Sequence, residues 1–138
     1  MSARRVGIVV VLSLVIPACG SARPFGLNVA AYDDCVLIEF GESGLELLPI
    51  REVRLLDDGG AVIWSAEAVD ERTPKLLEIK LCRGWNPILP EMIGSKRRFT
   101  YSIPAGGDMF FLEQTRLYGV EARSGTTGAL AHETFRVP

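Results

Sequence analysis

The chain has 138 residues, 48% of them hydrophobic, with 15 basic and 17 acidic side chains and a formal net charge of −2. That length suits one folded domain and is short for two. With no basic excess, nucleic acid is a poor candidate for its main partner.

Arg4 and Arg5 precede an apolar run from Val6 to Ile16 that only Ser13 interrupts, and no acidic residue occurs before Asp33. A basic start, a short apolar core and a small-residue exit are the layout of a secretory signal peptide. The run is too short for a bilayer-spanning helix, which needs roughly 20 apolar residues. A buried core helix is the other structural reading, but Val9-Val10-Val11 leaves it no polar face.

Ile16-Pro17-Ala18-Cys19 resembles the bacterial lipobox, an aliphatic, a variable and a small residue followed by Cys. The resemblance implies diacylglycerol on the Cys19 thiol, cleavage after Ala18 and acylation of the new amine. Pro17 departs from the Ser, Thr or Ala usual at the variable position. A single acyl chain binds a membrane reversibly, whereas two or more hold a protein there stably. Gly20 and Ser21 lack the Asp of the inner-membrane retention rule, so the expected address is the outer membrane, facing the periplasm. Cleavage after Ala22, with Gly20 and Ala22 as the small residues, is the alternative and would release a soluble protein.

On the lipobox reading, residues 1–18 are the signal, 19–32 a flexible tether and 33–138 the domain. The mature chain then carries 13 basic and 17 acidic residues, a balance of −4. That sign argues against nucleic acid or anionic lipid as the main partner. Lys96-Arg97-Arg98 is the one basic cluster, and its plainer reading is a solvated strand start. With Cys19 lipidated, Cys35 and Cys82 are left as a pair in an exported, oxidising setting where disulfides persist. Both sit at predicted strand ends on the outward parity. The alternative is two buried free thiols.

From residue 33 onward, short apolar runs with period-two alternation are separated by turn residues. Predicted strands cover Cys35–Phe40, Glu52–Leu56, Ala61–Ala66, Lys75–Cys82, Arg98–Ile103, Thr115–Arg123 and Ala129–Val137. Asp57-Asp58-Gly59-Gly60 between the second and third is a hairpin signal, because Asp-Gly tolerates positive φ. Alternation puts Leu77, Ile79 and Leu81 on the inward face of the fourth strand. About seven strands predict an all-β fold, a single antiparallel β-sandwich. Its pattern resembles immunoglobulin-like and fibronectin-like domains in shape. It departs from true immunoglobulin domains at Trp64, which lies too far from Cys35, and at Lys80, which stands where a corner Tyr is expected.

Candidates for chemistry are few. His132, the only histidine, has no nucleophile or orienting acid at a suggestive spacing, which leaves an ordinary strand histidine as its expected role. The acidic doublets Asp33-Asp34, Asp57-Asp58 and Asp70-Glu71 lack a metal-loop pattern and fit turns. No enzyme, cofactor or metal is expected. The stretch "RGWNPILPEMIG", Arg83 to Gly94, is different. Its two prolines predict irregular backbone, and Trp85, Ile88, Leu89, Met92 and Ile93 make it the candidate partner surface. These apolar groups serve either to close the core or to meet a partner. The expected function is therefore a non-enzymatic, lipid-anchored envelope protein making protein contacts. A small-ligand or carbohydrate-binding module with an aromatic platform near Trp85 is the alternative. Asp108–Gln114, "DMFFLEQ", raises the same question, with Phe110 and Phe111 expected on opposite sides of one extended segment.

Overall fold

The computed structural model describes residues 26–41, 48–70 and 74–138. Cys19, the signal and the first half of the proposed tether lie outside the described residues. The fold is all-β, and every ladder between strands is antiparallel. In chain order the strands are β1 (Leu27–Tyr32), β2 (Cys35–Phe40), β3 (Leu48–Leu56), β4 (Val62–Ala68), β5 (Lys75–Cys82), β6 (Gly84–Pro87), β7 (Glu91–Gly94), β8 (Phe99–Ser102), β9 (Met109–Leu112), β10 (Leu117–Ser124) and β11 (Leu130–Arg136). A three-residue 3-10 turn, Lys96–Arg98, joins β7 to β8. Among the described residues no helix is long and apolar enough to cross a membrane.

The expected sandwich of about seven strands is corrected here. Nine strands form one wrapped sheet, six along the path β1-β2-β5-β3-β10-β11 with β4, β7 and β8 paired off it, while β6 and β9 make a separate ribbon. The cause is the length of β3. Its first residues, Leu48 and Pro49, pair with β5, and Ile50–Leu56 pair with β10 and β4. A strand that passes from one ladder to another turns two sheets into one continuous surface. The outermost strands, β1 and β11, approach each other, so the sheet is nearly closed into a barrel.

The core inside this sheet contains Ile38, Phe40, Val53, Leu55, Trp64, Ile79, Phe99, Tyr118, Val120 and Phe135, all buried. Burial departs from simple alternation in β5, where Leu76 is buried and Leu77 only half-buried. A β-bulge is responsible. Leu76 faces Gly94 and Glu78 faces Ile93, which leaves Leu77 as the extra residue on β5 and shifts the phase of the side chains before it.

Leu27–Tyr32, grouped with the tether by its sequence, is strand β1 and pairs along its whole length with β2. Asp33 turns between them at φ 55, a left-handed conformation that Asp tolerates better than most residues. The Asp57–Gly60 turn forms as expected. Asp57 Oδ1 accepts hydrogen bonds from the Gly59 and Ala61 amides at 3.0 and 2.9 Å. Gly60 takes φ 85.

Candidate functional site

Cys35 and Cys82 face each other across β2 and β5 and are joined by a disulfide. The Arg83 amide donates to the Asp34 carbonyl at 2.9 Å, so by antiparallel alternation Cys35 and Cys82 are the adjacent non-hydrogen-bonded pair, and the main chain of Cys82 is engaged elsewhere. Its amide donates to Asn86 Oδ1 at 2.9 Å, and its carbonyl accepts from Asn86 Nδ2 at 2.8 Å. Asn86 Nδ2 also donates to the Gly84 carbonyl at 3.2 Å. One buried amide side chain thus supplies both halves of a strand partner and bends the chain sharply out of β5. Asp34 Oδ1 lies 3.4 Å from Cys35 Sγ. A disulfide sulfur carries no proton, so this is a contact and not a hydrogen bond. Asp34, Cys35 and Cys82 form the one group of potential metal ligands among the described residues, and the crosslink occupies both sulfurs.

Because Asn86 satisfies two backbone groups beside the disulfide, Asn86→Ala should destabilise the fold by about 2–3 kcal/mol, the penalty for unpaired buried polar groups. Urea denaturation reads this directly. A loss below about 0.5 kcal/mol would mean that water replaces the amide without penalty.

From Asn86 the segment that the prolines predict to be irregular runs instead as ribbon strand β6, paired to β9. The register is Gly84 with Leu112, Trp85 with Phe111, Asn86 with Phe110 and Pro87 with Met109. Opposite residues share a face, so Asn86, Phe110 and Leu112 point inward and are buried. Phe110 packs against Trp64 with ring centroids 5.9 Å apart. Trp64 Nε1 donates to the Ile88 carbonyl at 2.7 Å, and the Ile88 amide donates to the Asp108 carbonyl at 2.8 Å. These contacts hold the ribbon against the core.

The outer face is apolar and open to solvent. Trp85 is 64% exposed, Phe111 46% and Met109 43%. Trp85 and Phe111 meet edge to face with centroids 5.2 Å apart. Beside Trp85 a wide recess of about 450 Å³ is lined by Gly106, Gly107, Asp108 and Met109. The five residues of the predicted partner surface divide between two roles. Trp85, Leu89 and Ile93 are exposed, Ile88 is half-buried, and Met92 is buried against the core. Tyr101, whose hydroxyl donates to the Lys96 carbonyl, has its Oη 3.6 Å from Met92 Sδ. Burial pushes the Tyr101 phenol up to about 12. Sequence reading raised the segment Asp108–Gln114 but left open which residues face outward, and these are Met109 and Phe111. The signal that pointed to them was the Phe110-Phe111 doublet, whose two rings do take opposite sides.

The acidic doublets have structural partners. Asp58 pairs with Arg116 at 3.1 Å, which holds its carboxyl below the usual range. Asp34 lies 4.0 Å from Arg83. His132 is exposed on β11, opposite Glu121. It borders a recess of about 190 Å³ with Asp57, Asp58, Tyr118 and Thr134 and no serine. Both acids there are engaged, Asp57 in its turn and Asp58 with Arg116. No known protein family, curated protein or solved structure matches the chain.

Proposed function

We propose that this is a bacterial envelope lipoprotein, tied by acyl chains on Cys19 to the outer membrane, facing the periplasm. Its role is non-enzymatic contact with a protein partner through the outer face of the β6–β9 ribbon. The observation that carries this reading is the exposed Trp85, Met109 and Phe111 cluster on the outer face of the two-stranded ribbon. Contiguous apolar groups on a surface are costly to solubility and mark interaction sites, and aromatic and Met side chains are favoured there. An immunoglobulin-like shape is supported by β4, β3, β10 and β11 lying side by side in one region and β1, β2 and β5 in the other.

A photoreactive residue in place of Met109, in cells making the full chain, should yield a discrete protein adduct. The same residue in place of Leu130, an exposed apolar position on β11, should not. Equal yields at both positions would sink the contact claim. Mass analysis of the same purified material should find a diacylated N-terminus at Cys19. An unmodified N-terminus at Arg23 would refute the anchor and support cleavage after Ala22.

The recess beside Trp85 favours a second reading, a saccharide stacked on the indole with its hydroxyls donating to the Asp108 carboxylate. That ligand would shift the fluorescence of Trp85 and give no protein adduct at Met109.

A further inference from the structure

Among the described residues, the end of the fold that receives the chain from the side of Cys19 also carries Lys75 and the Lys96–Arg98 cluster. The Gly41 amide donates to the Gly26 carbonyl at 2.7 Å, at the end of the β1–β2 ladder opposite Cys35 and Cys82. Strand β5 runs antiparallel to β2, so Lys75 and Leu76 stand at that same end. Gly94 of β7 lies opposite Leu76, and the Ser95 amide donates to the Lys75 carbonyl at 2.9 Å. A Cβ on Gly94 would come within 2.3 Å of that carbonyl oxygen, so glycine lets the chain turn this tightly against β5. Lys96, Arg97 and Arg98 follow at once. The path β1-β2-β5-β7 places this turn three strand spacings, roughly 15 Å, from Gly26.

Arg98 is 3.5 Å from Asp70. Lys75, Lys96 and Arg97 are exposed and make no ion pair among the described residues. A shallow recess of about 270 Å³ lies among Gly94, Ser95, Lys96, Arg97 and Arg98.

We propose that this turn seats on the phosphates of an anionic phospholipid surface and holds the domain upright on the membrane to which Cys19 ties it. The inference rests on the lipid-anchor reading. Net charge governs approach from a distance, and the acidic mature chain would not find such a surface unaided. The tether removes that requirement. The seven residue steps from Cys19 to Gly26 span at most ~25 Å, so an anchored domain never leaves the neighbourhood of the bilayer. Within the ~10 Å reach of the surface field, local charge decides which side faces down. Each basic side chain there favours the contact about fivefold.

The chain has three lysines, Lys75, Lys80 and Lys96, which makes amine labelling a direct test. Lys80 lies five residues along β5 from Lys75, roughly 17 Å away, and serves as an internal control. Full-length protein purified from membranes is reconstituted into phosphatidylcholine vesicles with or without phosphatidylglycerol, acetylated, and read by peptide mass analysis. Anionic vesicles should slow labelling of Lys75 and Lys96 about fivefold and leave Lys80 unchanged, and salt near 0.5 M should restore the rate. Lys96→Glu combined with Arg97→Glu should abolish protection of Lys75 while the protein still floats with the vesicles. Flotation with equal labelling in both vesicle types overturns the inference and leaves the anchor standing. Failure to float with either vesicle overturns the anchor reading. Protection of Lys96 by inorganic phosphate in phosphatidylcholine alone overturns the membrane assignment in favour of a soluble phosphate.

Discussion

Trp64→Ala is expected to cost the fold about 3–5 kcal/mol, the range for deleting a large buried aromatic. Trp64 is 1% exposed and is the largest fully buried side chain among the described residues. Its ring contacts Tyr101 and Phe110 with centroids 6.1 and 5.9 Å away, so truncation leaves a cavity walled by other rings. Rigid neighbours of that kind relax poorly into empty space, which places the cost towards the upper end. The indole N–H also donates to the Ile88 carbonyl, the link between β4 and the ribbon. Trp64→Phe keeps a ring and deletes the donor, and its cost should fall well below that of alanine. Guanidinium denaturation monitored by circular dichroism checks both variants. A loss under about 1 kcal/mol for Trp64→Ala would show that the core collapses around the deletion. The remaining tryptophan, Trp85, then reports on the ribbon through its fluorescence anisotropy, which should drop in both variants.

Removing the crosslink by Cys35→Ala with Cys82→Ala should cost about 4 kcal/mol, the chain-entropy value for this loop size. The two residues are separated by 47 positions, and in the folded sheet they stand directly opposite. No backbone hydrogen bond joins them, so the covalent bond is their main direct link. Asn86 completes the same corner from the other side. Its effect and that of the disulfide should therefore be strongly coupled: with the crosslink absent, Asn86→Ala should cost less than it does alone. Denaturation of the oxidised protein, Asn86→Ala, the double alanine variant and the triple variant gives both numbers. Non-reducing peptide mapping should show Cys35 joined to Cys82, and free thiols at both would overturn the prediction.

Much of the strand pattern was legible because alternation and turn chemistry are local. Cys35–Phe40 and Lys75–Cys82 have the bounds that the sequence suggests, and the Asp57–Gly60 hairpin follows from its residues alone. What escaped was non-local. Strand β1 reads weakly, since Asn28, Ala30 and Ala31 carry little apolar contrast, and its identity comes from β2 beside it. The reversed roles of Leu76 and Leu77 depend on a bulge set by Gly94, eighteen residues after Leu76. Strands β6, β7 and β9 have four residues each, too few for periodicity to register, and two contain Pro or Gly at positions that usually argue against strand. At the candidate site, composition singled out Trp85. Only the pairing of β6 with β9 shows that its nearest partners are Phe111 and Met109, and only the Trp64–Ile88 bond shows which part of the loop closes the core.

The placement of β1 has a mechanical consequence. Gly26 leaves the sheet at one pole, while β6 and Trp85 emerge just past the Cys35–Cys82 corner at the other. Tension between a membrane attachment on the Gly26 side and a partner gripping Trp85 would run along the strands. Such a pull loads the β1–β2 ladder in shear, so its hydrogen bonds resist together rather than yielding one after another. At the far end the load passes from β2 through the disulfide into Cys82 and on to the ribbon. The covalent bond thus stands at the point where a hydrogen-bonded sheet would otherwise be asked to transmit force sideways.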